Sequence, residues 1–398
     1  MENKKVYLDN AATTQTAPEV LEAMLPFFSQ NYGNASSFHF FGRQAKAALD
    51  EARIDTAKLL NASPEEIFFT GCGSEADNIA IFGTLAKAQK KGHIITSKIE
   101  HHAVLYSCQE LQKRGFEVTY LDVDKGGVVS VEHLKNSLKE DTLLVSIMHA
   151  NNEIGTIQPI VEISKILKNV NKNKKNPIYF HSDAVQSAGK IKLDVKELGV
   201  DLLSLAAHKF NGPKGVGALY VRKGTFIFPV MFGGHHENGL RPGTENIASI
   251  IGFSKALELS NSRIAVTHKK NLILREKLKD GILNSIPDTI INGSGHNSIS
   301  CILNVSFKFI EGESLLLRLD MKGIAASAGS ACATGSAEPS HVLSAIGLDA
   351  VSAQGSVRFS FGFYNTQEDV DYVLKVLPDI VESLRSMSPV YKKTSNSY

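Results

Sequence analysis

From about residue 60 to residue 225 the chain alternates short apolar runs with stretches of helical periodicity. Runs of strand length fall at 67–70, 93–96, 117–121, 143–148, 178–181, 202–205 and 217–221. Between the first two, residues 74–89 carry Ile79, Phe82 and Leu85 at a spacing of three, the mark of one helix face. Strands that alternate with helices predict a mainly parallel sheet covered by helices. Near residue 260 the pattern changes. A long helix over 264–283, a strand over 301–307, a helix over 313–321, a small-residue loop over 327–340, a strand over 356–361 and a helix over 367–387 describe a smaller α+β unit. The expected fold class is α/β, with a large domain over 15–260 and a small one over 261–390. Residues 6–14 can pack with either unit, and residues 1–14 are assigned to the smaller. Residues 392–398 are expected to be disordered, and there is no internal repeat.

The 398 residues, 43% of them hydrophobic, suffice for a large core and exceed one compact unit. With 43 basic against 41 acidic side chains the net charge is +2, which gives no argument for nucleic acid or a membrane surface. The basic tract over 168–176 has no interleaved aromatic and reads as a solvated helix end. No window approaches the roughly 20 apolar residues of a membrane span, and the start carries no apolar signal core. Cys72, Cys108, Cys301 and Cys332 form neither a C-x-x-C pair nor a disulfide framework, so a reducing, cytoplasmic setting is expected.

Lys209 changes the picture most. It follows the apolar run Leu202-Leu203-Ser204-Leu205-Ala206-Ala207, so it sits at a strand's exit, beside the crevice where α/β proteins bind ligands. A lysine placed there loses its proton by desolvation and becomes a Schiff-base nucleophile, although a turn lysine is more often a surface residue. Asp183 follows the preceding strand, so acid and lysine stand at successive strand ends. After the strand 67–70 comes Gly71-Cys72-Gly73-Ser74-Glu75, a glycine turn opening a helix, which makes a phosphate cup. It is neither a G-x-x-x-x-G-K-[ST] loop nor G-x-G-x-x-G. A lysine, a carboxylate for a ring nitrogen and a phosphate cup are the parts that pyridoxal phosphate requires. No metal site is expected.

Four further residues are candidates. His101, after the strand 93–96, can stack on a pyridine ring and shuttle protons, whereas the adjacent His102 is expected to face solvent. Asn152, at the end of the strand 143–148, can hydrogen-bond a ring substituent. Cys332 lies in Ala328-Gly329-Ser330-Ala331-Cys332-Ala333-Thr334-Gly335, a loop without apolar anchors in which a thiol is not committed to a core. Cys108 and Cys301 read as buried and inert. Arg358, in a strand of the smaller unit, can grip a carboxylate bidentately or form an ordinary ion pair.

With these pieces in hand, the chain resembles the cysteine desulfurases of the NifS/IscS type, in the aminotransferase class V branch of the pyridoxal phosphate-dependent fold-type I enzymes. The resemblance spans essentially the whole chain. Its most specific motifs are Thr96-Ser97-Lys98-Ile99-Glu100-His101, Asn151-Asn152-Glu153-Ile154-Gly155, Arg241-Pro242-Gly243-Thr244 and Ser327-Ala328-Gly329-Ser330-Ala331-Cys332. It implies that Lys209 bonds the cofactor, that Cys332 forms a persulfide, and that His101 is the ring-stacking acid/base. Asp183 and Gln186 match contacts to the pyridine nitrogen and phenolic oxygen. Gly73, Ser74 and His208 match the phosphate cup, Asn152 a cofactor-side position, and Asn34 and Arg358 ligands of the substrate carboxylate. Thr244 matches a threonine that reaches the neighbouring subunit's cofactor, which implies a homodimer.

The resemblance implies conversion of L-cysteine to L-alanine, with sulfur passed to an acceptor protein such as an iron–sulfur scaffold or a tRNA-thiolation enzyme. Three positions depart from the family pattern. Ala206-Ala207 stand where Ser-Gly is usual, Cys72-Gly73-Ser74 where Gly-Ala-Thr is usual, and Phe363 where arginine is common. The first two point to weaker cofactor retention. Rival readings are another enzyme of the branch, a transaminase or selenocysteine lyase, and a sulfur-trafficking scaffold with little turnover.

Overall fold

The computed structural model describes residues 4–86, 88, 91–295, 297–328, 339–389 and 391. Strand β1 (Val6–Tyr7) lies at the start of the chain. Seven strands then make the main sheet: β2 (Ile67–Thr70), β3 (His93–Ser97), β4 (Glu117–Leu121), β5 (Thr142–Ser146), β6 (Tyr179–Asp183), β7 (Leu202–Ala206) and β8 (Gly217–Val221). Their order is β2-β8-β7-β6-β5-β3-β4. The neighbours from β4 to β7 pair in parallel, and β8 runs antiparallel between β7 and β2. All residues of β3, β7 and β8 are buried. Burial on both faces explains why these strands read as continuous apolar runs rather than alternating ones.

A three-stranded antiparallel sheet follows, β9 (Thr289–Asn292), β10 (Ile302–Phe307) and β12 (Ser356–Ser360), in the order β12-β10-β9. The short β11 (Ile324–Ala325) pairs in parallel with β1, and Asp9 bridges to Ser360. The start of the chain therefore packs against the second sheet, through Val6 and Leu8, while Ala11 and Ala12 reach the edge of the first.

The two largest hydrophobic cores hold Phe69, Ile95, Val145, Phe180, Leu203 and Phe253 in one and Leu303, Val305, Phe307, Val357 and Leu377 in the other. The expected helix over 264–283 is part of a longer one, Ile247–Ser285. Its first half buries Ile250, Phe253 and Leu257 in the first core, and its second half buries Leu274, Leu278 and Ile282 in the second. The helix runs through residue 260 without a break. Ser260 spends its hydroxyl on the Phe210 carbonyl at 2.8 Å and the helix continues.

Candidate active site

The C-terminal ends of β6 and β7 carry the first two functional groups. Asp183 is the last residue of β6, with Oδ1 accepting from the Val185 N–H at 2.9 Å. Beyond β7 the turn Ala207–Lys209 brings Lys209 back toward the chain's start, where Nζ donates to the Ala11 and Ala12 carbonyls at 2.6 and 2.8 Å. The helix Gly73–Leu85 points its N-terminus at the same cavity, with the Cys72 thiol accepting from the Glu75 N–H at 3.4 Å as its cap. Gly73 is required there. A Cβ on it would lie 2.8 Å from Val185 Cγ2.

Beneath this floor runs a buried polar chain. The His181 ring bonds the hydroxyls of Ser146 at 2.8 Å and Ser204 at 2.9 Å. Asp77 Oδ1 lies 3.5 Å from His181 Nε2 and has no hydrogen-bond partner among the described residues. Burial pushes the His181 imidazole down to about 3, so it is neutral and the contact is not an ion pair. Burial, and then the negative charge of Asp183, holds the Asp77 carboxyl well above the usual range. Burial also raises Asp183, against the opposing charge of Lys209.

His101 caps the helix His102–Lys113, its Nδ1 accepting from the Ala103 N–H at 3.1 Å, which leaves the ring hydrogen on Nε2. Burial first and Lys209 second push it down to about 4. Burial and Lys209 do the same to His208, also to about 4. The imidazoles around Lys209 are therefore neutral near pH 7. Asp77, His101 and Asp183 offer one donor atom each, all within 4.8 Å of one another.

The opposite wall comes from the second sheet. Arg358 on β12 is 1% exposed, yet its guanidinium lines the cavity. It donates to Asp9 Oδ1 at 2.9 Å and to the Asn152 carbonyl at 2.8 Å. Beside it Ser340 donates to Glu153 Oε2 at 2.6 Å. His102, expected to face solvent, is half-buried. It lines the cavity, with Tyr106 stacked 4.9 Å from it and the His341 ring at the same distance. The signal that could have placed it is the aromatic Tyr106 one helical turn on.

These residues fit pyridoxal phosphate. The helix N-terminus at Gly73 and Ser74 offers unpaired backbone N–H groups to a dianion, and Gly73 keeps the approach open. A buried carboxylate with a second acid behind it suits a protonated ring nitrogen, and a neutral imidazole suits a ring face. The Lys209 amine stands at the same cavity.

Residues 6–373 match the family model described as aminotransferase class-V. The chain belongs to the aminotransferase class V family. Within that family it is 52% identical over 393 residues to the cysteine desulfurase IscS of Methanosarcina thermophila, covering 98% of this chain and 96% of the relative. It is 53% identical over 393 residues to the protein of the same name from Clostridium botulinum, covering 98% of each. A solved structure titled "NIFS-LIKE PROTEIN" superposes with a TM-score of 0.90 at 42% identity, covering 96% of this chain and 100% of that one. Another, titled "SspA in complex with cysteine", gives 0.80 at 37% identity, covering 91% and 100%.

Ten of the residues singled out in this class V chain line one cavity: Gly73, Ser74, His101, Asn152, Asp183, Gln186, Ala206, His208, Lys209 and Arg358. Asn34 does not. It lies in an exposed turn, its Oδ1 accepting from the Ser36 N–H at 2.8 Å. Thr244 is likewise exposed and lines no part of this cavity. Cys332 lies outside the described residues, as do residues 392–398. Cys108 and Cys301 are buried, and burial pushes the Cys108 thiol up to about 12. Asp77 was missed, because an acid inside a helix reads as solvated when the sheet beneath it is not yet known.

Proposed function

We propose that the chain is a pyridoxal phosphate-dependent cysteine desulfurase, taking sulfur from L-cysteine and leaving L-alanine and a persulfide on Cys332. The observation that carries this reading is the cavity in which Lys209, Asp183, His101 and the helix N-terminus at Gly73 meet Arg358 from the other sheet. When bound, pyridoxal phosphate supplies an electron sink that acidifies the α-carbon of the amino acid. Lys209 bonds the cofactor and moves the proton at that α-carbon. Asp183, Gln186 and Asn152 hold the ring's polar atoms, His101 covers its face, and Gly73, Ser74, Ala206 and His208 surround the phosphate. Arg358 binds the substrate carboxylate. The Cys332 thiolate attacks the substrate sulfur: the new S–S bond forms, the Cβ–S bond breaks, and the electron pair left on carbon takes up a proton to become the methyl group of alanine.

The active form is a homodimer in which Thr244 reaches the partner's phosphate. Support comes from exposed apolar side chains, with Phe38 95%, Phe232 86% and Phe226 70% exposed. Sulfur passes to an acceptor protein, an iron–sulfur scaffold or a tRNA-thiolation enzyme, in the cytoplasm. Among the described residues no helix is long and apolar enough to cross a membrane. Residues 15–260 form the cofactor-binding domain, and 261–390 with 1–14 the domain that carries Cys332. The two hydrophobic cores support this division, with the helix Ile247–Ser285 as their shared strut.

The experiment is peptide mass spectrometry after mixing with L-cysteine. One extra sulfur is expected on the Cys332 peptide, with alanine released. Cys332→Ser should stop both while the protein stays yellow. Alanine at the wild-type rate from that variant, or sulfur on Cys72, Cys108 or Cys301, would overturn the reading.

A further inference from the structure

We propose that Lys190 is a positioning residue for Lys209: it holds the Lys209 backbone and the Gln186 side chain from behind the cavity, and presents a second cation to the Lys209 amine. Lys190 Nζ donates to the Gln186 carbonyl at 2.9 Å, to Gln186 Oε1 at 3.4 Å and to the Lys209 carbonyl at 3.1 Å. The Gln186 amide then donates from Nε2 to the Ala11 carbonyl at 2.8 Å. That same oxygen accepts from Lys209 Nζ at 2.6 Å. The hydrogen bonds close a ring from Lys190 through Gln186 and Ala11 to the head of Lys209, and back through the Lys209 carbonyl.

The bond to the Gln186 carbonyl is local, four residues back along the chain. The contact with Lys209 is of another kind, since it joins separate strand ends across 19 positions of sequence. It fixes the peptide group from which the Lys209 side chain departs. The Gln186 amide is fixed in the same stroke, because its oxygen faces Lys190 and its nitrogen faces Ala11.

No carboxylate among the described residues pairs with Lys190. Its partners are carbonyl oxygens that accept from the ammonium; burial lowers the proton affinity of Lys190 itself, and among the described residues the ionisable group acting on its charge is the thiol of Cys301, whose proton is held on by burial. A carboxylate partner would cancel the field at Lys209, whereas carbonyl dipoles only dilute it. The field does reach the cavity: Lys190 is among the cations that depress His208. Around Lys209 the positive side is Lys190, Lys214 and, paired with Asp9, Arg358, with His101 and His208 neutral. The negative side is Asp183 and Asp9, each of which interacts with its charge. A neighbouring cation favours the neutral, nucleophilic amine, one of the recognised ways of activating a lysine.

The inference rests on Lys209 as the amine that bonds the cofactor, so its test uses the cofactor-free full chain and a readout independent of turnover. Reductive methylation of Lys209 across pH 7–11, followed on the Lys209 peptide by mass spectrometry, gives the midpoint at which the amine becomes reactive. Lys190→Gln keeps N–H donors and removes the charge, Lys190→Met removes both, and Lys190→Arg keeps both. The midpoint should rise by about one pH unit in Lys190→Gln and Lys190→Met and stay near wild type in Lys190→Arg. Unchanged midpoints in Gln and Met variants with wild-type circular dichroism would overturn the inference, as would an equal rise in Lys190→Arg. Should Lys190→Met not fold, Lys190→Gln decides. A wild-type midpoint at the ordinary lysine value of about 10.4 overturns it without any variant. Borohydride trapping of cofactor on Lys209 in the loaded wild type fails only if the cofactor assignment itself is wrong.

Discussion

On the seven-stranded side of the cavity, Asp77, Asp183, His101 and His208 are taken out of water with Lys209 as the counter-charge to Asp183, and burial moves each of them away from its ordinary proton affinity. On the three-stranded side, Arg358 is buried just as deeply but arrives with Asp9 and the Asn152 carbonyl already on its guanidinium. One wall is electrostatically incomplete and the other carries an ion pair, although burial still raises the Asp9 carboxyl above its usual range. Strand ends of a parallel sheet expose groups that a ligand must satisfy, which is where perturbed proton affinities gather. A charge buried on a strand of a self-packed sheet needs a partner within the fold. The incomplete wall is suited to a cofactor, and the paired one to holding a substrate carboxylate in exchange for, or beside, Asp9.

The largest effect should come from the incomplete wall. Lys209→Ala removes the group proposed both to bond the cofactor and to move the α-proton, so alanine formation from L-cysteine should fall by roughly 10³-fold or more. Borohydride treatment of the wild type should leave a reduced cofactor adduct on the Lys209 peptide. An adduct on a different lysine would break the comparison at its root.

Stability should then separate the walls by sign. Arg358→Ala strands Asp9 beside a cavity and removes the donor to the Asn152 carbonyl, at a cost of about 2–3 kcal/mol in urea unfolding. Asp183→Asn keeps an acceptor for the Val185 N–H and removes a carboxylate whose ionisation burial opposes. In the cofactor-free chain at pH 8 it should stabilise, by about 1–2 kcal/mol, while weakening cofactor retention. The same sign for both variants would mean that the two walls do not differ as described.

Much of this arrangement was legible in the chain. Leu202 to Ala206 reads as a buried strand because both of its faces are covered, so Lys209 could be placed at a strand exit and Asp183 at the exit before it. The last helix, read over 367–387, is found at Gln367–Met387. What stayed hidden depends on contacts between distant segments. Asp77 acquires its meaning from His181 across the sheet, and Lys190 from the Lys209 carbonyl. His102 looked solvated because its neighbours Tyr106 and His341 converge only in space. The continuity of the helix through Ser260 was lost for a similar reason, its polar residues being satisfied by a loop far away in sequence.

Acid should expose the same asymmetry. The most depressed imidazoles, His101, His149, His181 and His208, belong to the large-sheet side and titrate at about 4, 4, 3 and 4. Each has the ordinary value of about 6.5 when unfolded, so between pH 6.5 and 4 the unfolded chain binds protons that the folded chain refuses. Stability is therefore fully present above pH 6.5 and lost as pH falls toward 4. His149 shows this most simply, since burial alone depresses it and its Nδ1 bonds the Ser187 hydroxyl at 2.9 Å. In urea melts at pH 7 and pH 4.5, His149→Gln should lose less stability between the two than wild type does, by up to about 2 kcal/mol. An identical pH dependence would show that His149 is solvated after all.

The smallest effect concerns the phosphate end. Ala206 closes β7, is 1% exposed, and its Cβ would lie 3.4 Å from a Cβ built on Gly73. The position thus abuts the helix N-terminus proposed to receive the phosphate, and the side chain there offers no donor. Ala206→Ser adds one hydroxyl and almost no volume, so the strand and the close approach to Gly73 should persist. With cofactor bound, the hydroxyl has a dianion within reach, and a hydrogen bond to a charged acceptor contributes about 1.5–3 kcal/mol before the cost of desolvating the hydroxyl. The net gain should be about 1 kcal/mol, read as a several-fold slower loss of yellow colour on dialysis. Without cofactor the hydroxyl is buried beside Gly73 and should lower stability slightly. Turnover with saturating cofactor should not change, because a phosphate contact is the same before and during reaction. If Ala206→Ser retains cofactor no better than wild type, the phosphate does not sit against β7, and the incomplete wall is completed by some other part of the ligand.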